Sequence, residues 1–523
     1  MKKILIIISV FVQTFVCFAQ IGLDTEQLRK LLIAEQAIKS LYVDSLGDGD
    51  LVENAVKGMV KALDPHSAYT PAKDVQSLTE TLQGSFEGIG VQYNMVDDTL
   101  MVIQPVSGGP SERVGIVAGD RIIFVNDTTI AGVKMTKEEI MRRLRGPKGT
   151  KVKLGVKRQD VKGINYFTVV RDKIPIYTVD AHYMVDDSVG YVKVGSFGAT
   201  THEEFVKAVN ELKSLGMRHL VVDLQGNGGG YLDAAVDMCN EVLAKGELIV
   251  YTEGRATPRK DYNANGDGIM QDGKIVVLID TYSASASEIF SGAVQDNDRG
   301  TIVGRRSFGK GLVQRQIDLP DGSMMRITSA HYYTPSGRCI QKPYKKGDRQ
   351  DYDNDLNDRL KSGELTNADS IHLVDSLKYN TLKLHRTVYG GGGIMPDEYV
   401  VLDTTQYTRF HRELSAKSCI INTTLKYIDK NRKKIEKLYP SFQDFSQHFE
   451  VPQDMVDLLL KNAEKAKIEY TDSTLQASLP LIKTQLKALI ARDIWDMSEY
   501  YQIINETNHI YLRGLEVIRK KLP

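Results

Sequence analysis

The feature that most constrains the fold of this chain is an alternation of apolar and helical segments that begins near residue 176. Short, almost continuous apolar runs occupy 189–194, 220–224, 248–251, 275–279 and 301–303. Segments with helical periodicity lie between them, at 201–215, 231–244 and 285–297. Strands that are apolar on both faces need helices on both sides of their sheet, so this region predicts an α/β core.

The length of the chain makes further domains necessary. Its 523 residues exceed what one hydrophobic core organises, which predicts roughly two to four domains. The net charge of the chain is zero, because its 67 basic and 67 acidic residues cancel. A neutral chain gives no reason to expect nucleic acid or an anionic membrane surface as a partner.

The segment 1–19 has the parts of a secretory signal peptide. A basic start precedes an apolar run at 4–18, and the small residues Cys17 and Ala19 lie where a signal peptidase would cut. The run is shorter than the roughly 20 residues that span a bilayer, so we expect cleavage after Ala19 rather than a membrane anchor. A lipid-modified Cys17 is the alternative, which Val16 disfavours because lipoprotein signals prefer a small residue there. We therefore expect secretion across the inner membrane and a periplasmic location.

The regions on either side of the α/β core have their own patterns. Residues 20–82 carry helical periodicity and predict a small helical region, a candidate dimerisation element. Residues 83–175 change to short strands interrupted by two short helices. The core is expected at 176–402, and the helical, polar segment 403–523 is expected to form a C-terminal extension.

Three cysteines, Cys239, Cys339 and Cys419, remain after the signal segment. An odd number at wide spacing predicts neither a disulfide framework nor a zinc site. Cys239 lies in an apolar helical pattern and is expected to be a buried small hydrophobe rather than a nucleophile. His66 stands beside a proline turn, where a histidine is more often a structural hydrogen-bonding residue, so we leave it out of the catalytic site.

Small residues gather where the apolar segment 274–280 ends and a helix begins. The segment 281–291 reads Thr-Tyr-Ser-Ala-Ser-Ala-Ser-Glu-Ile-Phe-Ser, and a serine hydroxyl at such a turn stands clear of its neighbours. The start of a helix also favours developing negative charge. Serine is equally a preferred residue for capping a helix, so this segment alone does not establish catalysis.

A lysine between two glycines follows the next strand. Lys310 is flanked by Gly309 and Gly311, which permit close approach of the backbone. An amine with an ordinary pKa of about 10.4 acts as a base near neutral pH only if burial lowers that pKa. A tight glycine turn can bury the amine, so a serine/lysine pair is physically reasonable.

A third motif, the glycine-rich segment 223–230, ends another core strand and precedes a helix. It reads Asp-Leu-Gln-Gly-Asn-Gly-Gly-Gly, and glycine N–H groups at a helix start bind either phosphate or an oxyanion. The segment has neither the Gly-Lys-Ser/Thr of a P-loop nor a dinucleotide fingerprint. Elimination therefore favours an oxyanion site.

Two motifs in the 83–175 region resemble a PDZ domain. One is Gly-Ser-Phe-Glu-Gly-Ile-Gly-Val at 84–91, and the other is Gly-Ile-Val-Ala-Gly-Asp-Arg-Ile-Ile-Phe-Val-Asn at 115–126. PDZ domains bind a terminal carboxylate through backbone N–H groups and add the peptide as a strand. The resemblance implies a substrate-binding loop that consists of Gly88, Ile89, Gly90 and Val91.

Taken in order, the three glycine- and serine-containing motifs resemble those of the carboxyl-terminal processing, or tail-specific, serine peptidases. The resemblance takes in His-Tyr-Tyr-Thr-Pro-Ser-Gly-Arg at 331–338 and covers residues 30–400. It implies Ser285 as the nucleophile and Lys310 as the general base. Gln314, one helical turn beyond the lysine, would orient the amine.

The same resemblance implies that the backbone N–H groups of Gly230 and Ala286 form the oxyanion hole. The implied fold is a multidomain α/β protein, with a peptidase core of the ClpP/crotonase-like type, a PDZ domain and helical N- and C-terminal regions. The implied activity is that of an ATP-independent endopeptidase that forms an acyl-enzyme, uses no cofactor and cleaves proteins with apolar, flexible C-termini. A homodimer or higher oligomer is a further expectation, and 403–523 is not part of the family pattern. The competing hypothesis is a secreted PDZ scaffold or chaperone in which the serine and lysine are structural.

Residues 261–272 fit the spacing of a calcium-binding EF-hand loop, Asp-Tyr-Asn-Ala-Asn-Gly-Asp-Gly-Ile-Met-Gln-Asp. Asn replaces Asp at two ligand positions, Asp replaces the final Glu, and no helix pattern flanks the loop. We therefore expect a polar hairpin loop between strands rather than a metal site.

Overall fold

The computed structural model of the protein describes residues 25–47, 49–159 and 161–520. The predicted signal peptide at 1–19 lies outside these residues. Within these three ranges, no helix combines the length and the apolar character that crossing a membrane requires.

The N-terminal region contains three helices and one short strand. These elements are α1 (Thr25–Leu41), α2 (Asp50–Lys61), β1 (Ala68–Thr70) and α3 (Ala72–Gln83). Gly84 ends α3 in the left-handed conformation that glycine adopts at low cost. The region predicted to be helical is thus interrupted by β1, which pairs with a strand of the core at 324–326.

The PDZ region is an antiparallel sheet with two short helices, and a two-stranded ribbon joins it to the core. Its elements are β2 (Ser85–Gly88), β3 (Val91–Val96), β4 (Thr99–Pro105), α4 (Pro110–Arg113), β5 (Arg121–Val125), β6 (Thr128–Thr129), α5 (Lys137–Leu144), β7 (Lys151–Lys157), β8 (Asn165–Val170) and β9 (Asp172–Pro175). The sheet order is β3-β4-β5-β7-β8, with β6 beside β5. The ribbon is the antiparallel pair β2 and β9, where the chain enters and leaves this region.

The core is built on two large sheets and a separate two-stranded sheet. Its elements are β10 (Val179–Met184), β11 (Val189–Val194), α6 (Thr201–Ser214), β12 (His219–Asp223), α7 (Leu232–Asn240), β13 (Leu248–Gly254), β14 (Thr257–Asn263), β15 (Ile275–Ile279), α8 (Ala286–Asp296), β16 (Thr301–Gly304), β17 (Leu312–Asp318), β18 (Met324–Tyr333), α9 (Arg349–Lys361), β19 (Lys378–Asn380), β20 (Thr387–Tyr389) and β21 (Glu398–Tyr399). The central sheet has the order β10-β11-β12-β15-β16-β21 and is parallel from β11 onward. The second sheet is antiparallel, with the order β1-β18-β13-β14 and with β17 beside β18. The separate two-stranded sheet pairs β19 with β20.

Both faces of the central sheet are covered by helices, as its apolar strands require. Every residue of β11 and β15 is buried. On one face, α6, α7 and α8 contribute buried side chains that include Phe205, Val209, Ala235, Met238, Phe290 and Ala293. The other face is covered by the last helix of the chain, through Ile510, Tyr511, Leu515 and Ile518.

The C-terminal extension is helical, as its pattern predicts. It comprises α10 (Arg409–Ala416), α11 (Cys419–Leu438), α12 (Phe442–His448), α13 (Gln453–Lys465), α14 (Asp472–Ile494), α15 (Met497–Ile504) and α16 (His509–Arg519). The helices before α16 enclose a hydrophobic core of their own, centred on residues such as Phe445, Leu459 and Leu486. Since α16 instead packs on the central sheet, the extension and the core are joined by a shared apolar layer.

The segment 261–272 is not a hairpin loop, and that expectation is wrong. Residues 261–263 belong to β14, and the hairpin turn lies earlier, between Gly254 and Thr257. Residues 264–274 then connect β14 to β15, which belong to different sheets. In the described ranges no group of three or more His, Cys, Asp or Glu side chains is arranged to hold a metal ion.

Candidate active site

Ser285 occupies a strained turn between β15 and α8. Its backbone angles are φ 56° and ψ −113°, a combination that residues other than glycine rarely adopt. Two buried side chains hold this turn, since Glu288 accepts the Ser285 N–H at 2.8 Å and the Tyr332 hydroxyl donates to the Ser285 carbonyl at 3.1 Å. Because α8 begins at Ala286, its positive N-terminal end lies at the serine.

The two neighbouring serines of the motif attach this turn to the glycine-rich segment 223–230. The Ser283 hydroxyl donates to the Leu224 carbonyl at 2.8 Å, and the Ser287 hydroxyl donates to the Asn227 carbonyl at 2.9 Å. Both serines are fully buried. Their hydroxyls are therefore engaged in structural bonds, while Ser285 faces the cleft.

Lys310 lies just before β17 and presents its amine to the same cleft. Burial, and secondarily the charge of Arg326, lower the pKa of Lys310. The amine donates to Gln314 Oε1 at 3.1 Å, and Gln314 Nε2 in turn donates to the His66 carbonyl. Gln314 belongs to β17, so the expectation that it lies one helical turn beyond the lysine is wrong, although its side chain does reach the amine.

Glu288 joins the serine segment to the lysine segment and was missed in the sequence. The carboxylate is fully buried, and Oε1 accepts from the Ser307 hydroxyl at 2.5 Å and the Gly309 N–H at 2.7 Å. Oε2 accepts from the Ser285 N–H and from the Lys310 N–H at 2.9 Å. Burial raises the pKa of Glu288, while these four bonds oppose the rise. An acidic residue three positions after a serine at a helix start was the available signal, since this is the capping-box pattern.

Tyr332 makes a second connection between the two segments. Its buried hydroxyl contacts both the Ser285 carbonyl at 3.1 Å and the Lys310 carbonyl at 2.5 Å. Tyr332 lies in β18, within the 331–338 motif that was noted only as part of the family resemblance. Its hydroxyl therefore fixes the spacing of the two backbones.

The glycine-rich segment is fixed against the Ser285 turn by Asn227. The Asn227 side chain donates to the Val194 carbonyl at 2.9 Å and accepts the Gly229 N–H at 2.8 Å. The backbone carbonyl of Asn227 accepts the Ala284 N–H at 3.0 Å. Gly230 has φ 153°, and a Cβ there would lie 2.0 Å from the Phe197 carbonyl oxygen. Only glycine therefore fits at position 230.

The structure brings four of the predicted catalytic residues into one cleft of about 750 Å³, which is lined by Ser285, Lys310, Gln314 and Gly230. Ala286, the first residue of α8, lies directly behind the serine. Helix α3 contributes part of the wall through Asp74, Ser77, Leu78, Thr81 and Leu82. The residues that carry serine, lysine and glycine chemistry thus converge, although 80 positions or more separate some of them in the chain.

The predicted PDZ loop lies outside this cleft. Gly88 ends β2, Ile89 is buried in the PDZ core, Gly90 is left-handed at φ 70°, and Val91 begins β3. The loop is held by the Ser111 hydroxyl, which donates to the Ile89 carbonyl at 2.7 Å. Strand β3, which follows the loop, pairs on one side with β4 and is an edge of the sheet.

His66 supports the site from its border, as a structural residue. Its Nε2 lies 2.8 Å from the Tyr352 hydroxyl, and its carbonyl holds Gln314. Burial, followed by the charge of Lys310, lowers the pKa of His66 to about 4. Cys239 is fully buried, as expected, and burial raises the pKa of its thiol.

Comparison with known proteins identifies three regions. A model of peptidase family S41 matches residues 188–351, a PDZ domain model matches residues 77–157, and a family of unknown function (DUF8443) matches residues 410–496. The carboxy-terminal processing protease CtpA of Bacillus subtilis is 35% identical over 328 residues, which cover 62% of this chain and 69% of that protein. A carboxy-terminal-processing protease of Bartonella bacilliformis is 36% identical over 310 residues, which cover 58% of this chain and 70% of that protein. Among solved structures, the photosystem II D1 C-terminal processing protease is 28% identical, covers 60% of this chain and 89% of its own, and has a TM-score of 0.34.

Proposed function

The chain belongs to the carboxy-terminal processing proteases of peptidase family S41, and from this premise we propose that it cleaves peptide bonds with a Ser285/Lys310 dyad. As a serine protease with a PDZ domain, it acts on proteins or peptides, which disfavours the scaffold hypothesis. The observation that supports the dyad is that strained Ser285 and buried Lys310 line one cleft, where Glu288 accepts the backbone N–H of both residues.

Lys310 is the general base of the proposed reaction. Its lowered pKa populates the neutral amine near neutral pH more than in an exposed lysine. The amine takes the proton of the Ser285 hydroxyl while the serine oxygen bonds to the carbonyl carbon of the scissile peptide. The carbonyl oxygen becomes an oxyanion, and the N–H groups of Gly230 and Ala286 donate to it.

Collapse of the tetrahedral intermediate returns the proton. Protonated Lys310 gives it to the leaving nitrogen, the C–N bond breaks, and the acyl group stays on Ser285 as an ester. Water then attacks the ester with Lys310 again as base, which releases a carboxylic acid and restores the serine. Gln314 accepts a hydrogen bond from the amine and so aims it at the hydroxyl.

An acylating serine probe tests the dyad directly. We expect one covalent adduct per chain in mass spectrometry, absent from Ser285→Ala, and loss of proteolysis in Ser285→Ala and Lys310→Ala because the two residues act as a unit. Lys310→Arg should also fail, because a guanidinium does not release its proton. Lys207→Ala, which removes an exposed lysine on α6, is the control. Undiminished proteolysis in either dyad variant would contradict the proposal.

We further propose that the loop from Gly88 to Val91 binds the free C-terminus of a substrate with an apolar end. Amidation removes the charge and one acceptor oxygen of that terminus, and charge-assisted bonds contribute about 1.5–3 kcal/mol each. An amidated peptide should therefore bind or be cleaved at least about tenfold less well than its free acid. Equal cleavage of both peptides would place substrate selection in the cleft instead.

Secretion is a separate proposal, supported by the basic, apolar and small-residue segments of 1–19. We propose that the signal peptide is removed after Ala19 and that the mature protein is periplasmic, with a lipid-modified Cys17 as the alternative. N-terminal sequencing of the mature protein and cell fractionation distinguish the two, because a lipidated chain would begin at Cys17 and fractionate with membranes.

We also propose a homodimer that forms through α1. This helix exposes a row of apolar side chains at helical spacing, Leu28, Leu31, Leu32 and Ile38, and such exposed rows mark interaction surfaces. Light scattering should give twice the chain mass, and Leu31→Glu should give the monomer. A monomeric wild-type protein would contradict this assignment.

A further inference from the structure

The C-terminal extension contacts the PDZ region through charged residues of α11. Arg121 of β5 binds the Asp429 carboxylate with both of its terminal nitrogens, at 3.2 Å and 2.7 Å. Lys426, one turn before Asp429 on the same face of α11, pairs with Asp97 in the β3–β4 turn at 2.9 Å. Two ion pairs therefore connect one face of α11 to the PDZ region, and α11 supplies the anion of one pair and the cation of the other.

Burial distinguishes this contact from an ordinary surface ion pair. The Arg121 and Asp429 side chains are only 28% and 15% exposed, and a two-pronged arginine–carboxylate pair is stronger and more directional than a lysine pair. Isolated exposed pairs contribute little to stability. The Arg121–Asp429 pair is thus the central contact, and the more exposed Asp97–Lys426 pair lies at its rim.

An apolar residue lies beside the same pair. Met101 of β4 is directly opposite Arg121 of β5, so the two side chains share one face of the sheet. That face is opposite to the one on which Leu100 and Val102 enter the PDZ core. Met101 is nevertheless 4% exposed, and α11 lies against the neighbouring strand β3. The outer face of the PDZ sheet is therefore covered at Met101, next to the ion pair, so the contact is not purely electrostatic.

The position of the PDZ region bears on the cleft through α3. Arg145, at the end of α5, forms a salt bridge at 2.5 Å with Glu80 of α3, whose side chain is 10% exposed. Side chains of the same helix line the cleft that contains Ser285. The chain itself enters and leaves the PDZ region through the β2/β9 ribbon, and a two-stranded ribbon alone does not fix the position of a domain.

We propose that the α11 face that carries Lys426 and Asp429 is an intramolecular docking surface for the PDZ domain. Docking there holds the PDZ domain where Arg145 binds α3, and so controls the delivery of PDZ-bound substrate to the cleft. This assigns a role to the region that matches a family of unknown function. The role in delivery rests on the proposed proteolysis, whereas the docking itself does not.

Charge reversal with rescue tests the docking. Arg121→Glu and Asp429→Arg each place like charges together, and the double variant restores an inverted pair. Hydrogen exchange of peptides 91–104 and 419–433 should quicken about tenfold in each single variant and return to the wild-type rate in the double variant. Glu436→Arg is the matched control, because Glu436 lies on α11 but pairs with Arg432 of the same helix. Wild-type exchange in both single variants, or no recovery in the double variant, would overturn the docking.

Cleavage of a peptide with a free apolar C-terminus tests the role in delivery. Each single reversal should slow cleavage about tenfold and the double variant should restore it, while reaction of Ser285 with a small acylating probe stays unchanged in all of them. Faster exchange with unchanged cleavage would overturn the role in delivery. A wild-type protein that neither cleaves nor reacts with the probe would refute the proposed proteolysis and leave the exchange result as an independent test of docking.

Discussion

Replacing Glu288 by glutamine tests whether one buried carboxylate sets the geometry of both candidate catalytic segments. Each of its oxygens accepts two hydrogen bonds. Glutamine keeps the shape and one acceptor oxygen, but its NH₂ group meets two donors. The Ser307 hydroxyl can turn and accept from that group, whereas the Gly309 N–H cannot and is left without a partner.

The cost in free energy of unfolding follows from these bonds. A buried N–H without an acceptor costs about 1–3 kcal/mol, and the bonds from the Ser285 and Lys310 N–H groups each fall from about 1.5–3 to about 1 kcal/mol when the acceptor loses its charge. The sum is about 2–7 kcal/mol. Burial raises the pKa of Glu288 because a buried charge costs free energy, and the neutral glutamine avoids this cost, which offsets part of the sum. We expect a net loss of about 2 kcal/mol in chemical denaturation of the variant.

The same substitution should also lower the catalytic rate strongly. A displacement of about 1 Å costs about 100-fold in rate, so kcat should fall about 100-fold with KM little changed. The Glu288 charge raises the pKa of Lys310, so its removal should shift the rising limb of kcat to lower pH. Ser291→Ala, which removes a buried hydroxyl on the same helix, should keep both kcat and the pH profile. A Glu288→Gln enzyme with kcat within about threefold of wild type and an unshifted profile refutes this reasoning.

Three further predictions concern the backbone and the extension. Ser285→Gly should abolish proteolysis yet stabilise the protein by about 1 kcal/mol in thermal unfolding, because glycine accepts the angles that strain serine; a lower melting temperature would argue against strain. Gly230→Ala should abolish kcat because its Cβ meets the Phe197 carbonyl, whereas Gly228→Ala, whose Cβ meets no atom within 4 Å, should keep it. Deleting 506–520 should give an aggregated core by light scattering, because α16 buries four apolar side chains worth about 1.5–3 kcal/mol each; a monodisperse, folded core would contradict this.

The central sheet was predictable because its strands are buried on both faces. Such strands must be apolar throughout, and the ranges predicted for β11 and β15 agree with the structure to the residue. The hairpin of β17 and β18 was missed because most of β17 is exposed and carries polar residues. A signal did exist, since Pro-Asp-Gly at 320–322 is a turn sequence between the two strands.

The candidate site was predictable where chemistry is marked by unusual residues. A lysine between glycines and a serine-rich helix start stand out in any sequence. Glu288, Tyr332 and Asn227 do not, because their importance depends on partners far away in the chain, such as Ser287, which lies 60 positions after Asn227 and which only the sheet brings to it. Aromatic and amide residues are common in strands and loops, so nothing local distinguishes Tyr332 and Asn227 from others of their type. The capping-box position of Glu288 is a local signal, but it marks the start of a helix and not a catalytic site.

The boundary near residue 403 separates two patterns in the sequence but does not separate two units of packing. The Asn505 side chain donates to the Tyr183 hydroxyl at 3.0 Å, and the Tyr183 ring packs on Tyr191 with ring centres 4.8 Å apart. Tyr191 is fully buried, partly by Tyr511 of α16, and donates to Asp223 at 2.6 Å.

Asp223 begins the glycine-rich segment, and its carboxylate also accepts the Gln225 N–H at 2.8 Å. The buried charge of Asp223 is compensated by Lys193, whose amine contacts both Asp223 and the Gln225 carbonyl. Hydrogen bonds around a buried charge strengthen when water is excluded, and they lose that strength when it enters. Since α16 excludes water from Tyr191, the extension contributes to the rigidity of the segment that ends at Gly230.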